Sequence, residues 1–167
     1  MQTPKTRPIP LALAAALLLA TLPARAADEP NLERLATCQD SWLDWKDNPA
    51  LRNKFAEGIR AGYNPKEGTA FFKPKSPKTV LGLPVTEVAP DSIGMAVGFS
   101  VVVSADFDTV KRGIEKQVGK TLKNCDSAKG MKTCELELAP KKTIMLLAEG
   151  KGTAKSTLMG CAYYYEK

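Results

Sequence analysis

The clearest periodicity in the chain begins at Met95. Met95, Val97, Phe99, Val101 and Val103 alternate with Ala96, Gly98, Ser100 and Val102, a strand with large apolar side chains on one face and mostly small ones on the other. The spacing then lengthens. Phe107, Val110, Ile114, Val118 and Leu122 make one helical stripe, residues 104–106 supply its cap, and Lys111, Arg112, Lys116, Lys120 and Lys123 fall on the outer face. A basic face of this kind is ordinarily a solvated one. Three more strands are predicted. In the first, Cys134, Leu136 and Leu138 turn inward, with Glu135 and Glu137 outward; the second, 143–148, is apolar on both faces and therefore central; the third covers 158–165. Turns fall at Pro140-Lys141-Lys142 and Gly150-Lys151-Gly152.

Upstream, Leu35, Cys38, Trp42 and Trp45 recur at spacings of three and four and predict a helix over 31–46. Asp40, Asp44 and Asp47 lie on its other side. Such a row suits a divalent cation only when a loop presents it, so a solvated acidic face is the simpler reading. Asn48-Pro49 supplies a cap and a first helical residue, Leu51, Phe55 and Ile59 form the next stripe, and Gly62 ends it. Residues 31–62 thus read as a helical hairpin. From 63 to 90, Asn64-Pro65, Gly68, Pro74, Pro77, Pro84 and Pro90 interrupt every run, which predicts a loop-rich segment with short edge strands near Val80 and Val85. Phe71-Phe72 followed by Lys73, Lys75 and Lys78 would suit a membrane surface or an acidic partner if exposed. Folded inward, the rings would serve the core while the lysines keep an edge soluble. With a strand-helix-three-strand unit over 91–167, the expected class is α+β: a helical hairpin, an antiparallel sheet and one further helix.

The first 26 residues have a different texture. Lys5 and Arg7 precede an unbroken run of 12 Leu, Ala and Thr residues over 11–22, and Ala24-Arg25-Ala26 has small residues where a signal peptidase cuts. Twelve residues fall short of the ~20 that span a bilayer, so the segment reads as a cleaved signal peptide and no stable membrane anchor is expected. A single domain over 27–167, periplasmic or secreted, is the expectation. Three of the 24 basic residues and none of the 18 acidic ones belong to the leader, so the processed chain would carry a net charge of +3. That is too mild for a nucleic-acid partner.

Export changes the reading of the four cysteines. An even count outside the cytosol predicts two disulfides, and the absence of a C-x-x-C spacing removes redox pairs and zinc ribbons. Cys134 and Cys161 fall on the first and third strands of a meander, ~9–10 Å apart and beyond bridging reach. Cys125 and Cys134 flank the turn-rich Asp126-Ser127-Ala128-Lys129-Gly130 and can meet locally, which leaves Cys38 for Cys161.

Histidine is absent, which removes the commonest general base and the Ser-His-Asp and Cys-His triads. Residues 150–157 imitate a phosphate loop but lack the Gly before the Lys-Ser pair, and a strand follows. A Ser–Lys or carboxylate pair is recognised by geometry alone. No catalytic residue, metal ligand or cofactor is therefore assigned. Tyr163-Tyr164-Tyr165 would place Tyr163 and Tyr165 on the face of Cys161, either as an aromatic contact surface or as packing beneath the helices. The candidate binding surface is Tyr163, Tyr165, Phe71, Phe72, Lys73 and Lys75. The expected function is a non-catalytic module binding another envelope protein, of inhibitor or immunity type. A protein holding a small apolar or glycan ligand between sheet and helical hairpin is the second expectation, and a carboxylate-dependent hydrolase the third.

Overall fold

The computed structural model describes residues 31–91, 93, 96–149 and 155–164; the expected signal peptide over 1–26, Met95, the expected turn at 150–152 and Tyr165 lie outside them. Among the described residues there are four helices, α1 (Leu32–Ala36), α2 (Trp42–Asp47), α3 (Pro49–Gly62) and α4 (Phe107–Val118). Nine strands accompany them: β1 (Tyr63–Pro65), β2 (Phe72–Pro74), β3 (Thr79–Val80), β4 (Leu83–Pro90), β5 (Val97–Val103), β6 (Asn124–Ala128), β7 (Met131–Ala139), β8 (Lys142–Glu149) and β9 (Thr157–Tyr163). They pair antiparallel in the order β1-β2-β4-β5-β9-β8-β7-β6, with β3 added to β4. The mixed α+β class and the predominantly antiparallel sheet agree with the sequence pattern.

All four helices pack on one face of this sheet. Phe99, Val101 and Val103 of β5 sit opposite Cys161, Met159 and Thr157 of β9, and Ile144 and Leu146 of β8 continue the same apolar rows. Val110 and Ile114 of α4, Leu35 of α1, Trp42 of α2 and Phe55 of α3 complete one core cluster over them. The meander β7-β8-β9 returns the chain to β5 after α4 has carried it across to the far edge, so β8 is internal, as its two apolar faces require.

The helix expected over 31–46 is broken. Asn31 caps α1, its Oδ1 accepting from the Arg34 N–H at 3.0 Å, and the helix ends in a Schellman arrangement with Cys38 in the left-handed region at φ 60°. The Gln39 N–H returns to the Arg34 carbonyl at 2.8 Å and the Cys38 N–H to the Leu35 carbonyl at 3.3 Å. Ser41 then caps α2, accepting from the Asp44 N–H at 3.3 Å. The apolar spacing across Cys38 survives because both short helices face the same core.

The segment over 63–90 carries more order than its prolines suggest. Val85 belongs to an eight-residue internal strand, β4, rather than to a short edge strand. Pro84 and Pro90 bracket that strand, and a register shift between Val85 and Glu87 absorbs the irregularity. A further strand, β6, was not legible in the pattern, since every one of its residues is exposed. It folds back on β7 through Lys129-Gly130, both at positive φ, 51° and 77°.

Two disulfides join Cys38 to Cys161 and Cys125 to Cys134, with Cα separations of 5.1 and 4.1 Å, the pairing expected from strand order. Cys125 and Cys134 stand directly opposite each other across β6 and β7. Among the described residues no helix is long and apolar enough to cross a membrane.

Candidate functional site

Between α2, α3 and the β2/β4 end of the sheet lies a cleft of about 380 Å³. Its apolar walls are Trp42, Phe55, Ile59, Phe72 and Pro90, and its rim is Lys46, Arg52, Arg60 and Asp91 around Ala56. Local sequence explains each wall. The Asn48 Oδ1 accepts from the Ala50 and Leu51 N–H groups at 3.0 and 3.2 Å and Pro49 opens the first turn, so α3 starts at a fixed point. From there Phe55 and Ile59 share its buried face, one turn apart. Arg52, Ala56 and Arg60, each four residues from the next, run along the mouth, where the small Ala56 leaves an opening between two long cations.

Trp42 is held from several sides. Its ring lies edge-on to Phe55 with centroids 4.6 Å apart and tilted against Phe99 at 5.8 Å. Its indole Nε1 donates to Asp91 Oδ1 at 3.1 Å, and Lys46 Nζ approaches the same oxygen at 3.6 Å. Its backbone N–H donates to the Tyr163 hydroxyl at 3.0 Å, and that hydroxyl donates to the Asp40 carbonyl at 3.3 Å. Tyr163 is consequently buried, and burial pushes its hydroxyl pKa above the ordinary tyrosine value.

The residues singled out from the sequence are scattered by these contacts. Tyr163 is a core residue beneath α2 rather than part of a surface. Phe72 lines the cleft, whereas Phe71, half-buried, lies under Lys66, whose Nζ is 5.9 Å from the ring centroid and 2.6 Å from Glu87 Oε1. Lys75 closes the end of α3, its Nζ donating to the Arg60 and Ala61 carbonyls at 3.0 Å each, a favourable place for a cation. Lys73 is exposed beside a separate concavity. Of the six, one therefore reaches the cleft, and Tyr165 lies outside the described residues. Of the other lining residues, Trp42, Phe55 and Ile59 belong to the helix stripes and Pro90 to the interrupting prolines, while Lys46, Arg52, Ala56, Arg60 and Asp91 were not singled out. The i, i+4, i+8 row of Arg52, Ala56 and Arg60 beside an aromatic stripe was the clue on offer.

Of the acidic row, Asp40 precedes α2 and turns to Arg34, with Arg34 Nη2 2.7 Å from its Oδ1, and among the described residues no three acidic or sulfur side chains are grouped closely enough to hold a metal. On the opposite end of the sheet, a concavity of about 440 Å³ is bordered by Lys120, Lys123, Asn124, Glu135 and Glu137, with Leu136 as its apolar side chain and no aromatic wall. The cleft at Trp42 differs in having aromatic walls as well as a charged rim. What its residues provide is shape and charge: Asp91, the carboxylate on its rim, is already engaged by Trp42 and Lys46.

Compared with known protein families, with curated proteins and with solved structures, the chain has no significant match.

Proposed function

We propose that this chain is a non-catalytic binding module working outside the cytosol, and that it holds an apolar-bodied ligand in the cleft between the helical hairpin α2–α3 and the sheet. The observation that carries the reading is the cleft itself, about 380 Å³ and walled by Trp42, Phe55, Ile59 and Phe72. That volume is within the range taken by small-molecule sites, which are mostly apolar with a few placed polar groups. The two disulfides fit an oxidising compartment, and Cys38–Cys161 holds β9 against the end of α1, which leads straight into α2. Titration of the oxidised protein with decan-1-ol, followed by two-dimensional NMR, should move the resonances of Trp42, Phe55, Ile59 and Phe72. Replacing Ala56→Trp, which fills the mouth, should abolish the shifts. No shift at these residues with a folded spectrum would remove the reading.

A protein partner is the second reading, and a different surface favours it. On the helix-free face of the sheet Leu147, Leu158 and Val102 form one cross-strand row beside Met145, all half-buried, and the exposed Tyr164 places its hydroxyl 3.4 Å from Met145 Sδ. Partly exposed apolar and aromatic rows of this kind mark contact surfaces. A photo-reactive side chain at Leu147 should give a discrete covalent adduct in the chain's own compartment, and adducts no different from those of one placed at exposed Lys129 would retire it.

A further inference from the structure

The charges around the cleft say more about its occupant than the apolar walls do. Lys46, Arg52 and Arg60 face one carboxylate, Asp91, so the mouth carries an excess of positive charge over a floor of aromatic and aliphatic side chains. Asp91 already has two engagements, Trp42 Nε1 at 3.1 Å and Lys46 Nζ at 3.6 Å. The cations left to meet a ligand are the two arginines of α3, two turns apart on one face with only Ala56 between them. Arg60 uses Nε on the Ala56 carbonyl at 3.2 Å, one of the five donors a guanidinium presents. A cleft whose floor is apolar and whose lip offers planar, forked donors is complementary to a molecule with an apolar body and an anionic end. A purely apolar guest would make no use of the two guanidiniums, and a small hydrophilic anion would leave the aromatic walls wet.

We infer that the occupant is a single-chain fatty carboxylate, its hydrocarbon against Trp42, Phe55, Ile59 and Phe72 and its carboxylate at Arg52 and Arg60. Charge complementarity at the lip selects it over a neutral lipid. The inference rests on the apolar-ligand reading above, and the two fail differently.

The test compares decanoate with decan-1-ol, which share a hydrocarbon chain and differ at the head, using titration of the oxidised protein by NMR in low salt. The expected result is an affinity for decanoate roughly ten-fold above that for the alcohol, a gap of about 1.4 kcal/mol. The gap should shrink toward none in 0.5 M salt as screening grows, and also in the double variant Arg52→Gln/Arg60→Gln, through loss of decanoate affinity. Equal affinity for acid and alcohol would overturn the carboxylate inference while leaving the apolar site intact. Binding of neither would overturn both. A decanoate preference that survives in the double variant would place the headgroup elsewhere and would also overturn the assignment. Both arginines are exposed, and the Arg60 side chain is hydrogen-bonded within its own helix, so the double variant is expected to fold.

Discussion

Tyr163 shows how much a single hydroxyl can hold. It accepts the Trp42 N–H, one of the unpaired donors at the start of α2, and donates to the Asp40 carbonyl, so the link from Cys38 to Trp42 is pinned to β9 twice, once by sulfur and once by oxygen. Tyr163→Phe should cost about 1–3 kcal/mol, because the ring still packs but a buried N–H loses its partner. Urea denaturation at neutral pH reads this directly. The same residue sets a pH dependence. Burial raises its pKa in the folded state, so the unfolded chain loses the phenolic proton first, near pH 10, and above that pH the folded state binds more protons. The contribution is complete below pH 10 and is lost as pH rises toward the raised folded value. Stability should therefore fall on the alkaline side, and in Tyr163→Phe the slope should be shallower; an unchanged alkaline slope would count against the buried hydroxyl. The sequence placed Tyr163 on the face of Cys161, but whether that face met water or helices was a matter of what packed over it.

At the scale of elements, β5 and β9 approach so closely that side chains are excluded from part of their shared surface. A Cβ added at Gly160 would run into the Phe99 carbonyl oxygen and the Ser100 Cα, and one at Gly98 into the Cys161 carbonyl oxygen. The alternation of small residues along β5 is thus a packing requirement rather than a mark of an open face. Gly160→Ala should destabilise by about 1–3 kcal/mol, since backbone must move to admit the methyl. Gly119→Ala, where no atom lies within 4 Å but φ is +67°, should cost about 1 kcal/mol through conformation alone. Comparing their denaturation midpoints separates the two causes. Elements with a strong period were legible because large apolar residues recur on one face of β5, α4 and β7 and on both faces of β8. The break between α1 and α2 was hidden because a cysteine, not a glycine, takes the left-handed position, its strain carried by the Schellman bonds and the disulfide. Ser41 three residues before Asp44 was the local signal of a new helix start.

For the whole molecule, the two disulfides should be unequal. Cys38–Cys161 spans 123 residues of sequence and ties the α1 end to the second central strand, whereas Cys125–Cys134 spans nine and closes a hairpin already paired in register. Loop-closure entropy gives about 5 kcal/mol for the first and about 3 for the second. The double variant Cys38→Ser/Cys161→Ser should therefore lose more stability than Cys125→Ser/Cys134→Ser, by about 2 kcal/mol in urea. The long bridge also anchors the entry to α2, so its removal should loosen the cleft and weaken decan-1-ol binding, while removal of the short one should leave binding unchanged. Equal losses in both variants would mean that the hairpin, not the staple, organises the sheet.

Period-two and period-3.6 patterns, with an even set of cysteines, were enough to determine the α+β class, the central position of β8 and the disulfide pairing, because each follows from local geometry or from which strands are near neighbours. The cleft followed from none of these. Trp42, Phe55 and Phe72 come from three separate elements, and Arg52 and Arg60 gain meaning only when α3 lies beside β2 and β4. Periodicity records that a side chain points inward; it does not record what stands opposite. Tertiary packing decided that, by bringing two cations on one helix to the lip of an apolar gap.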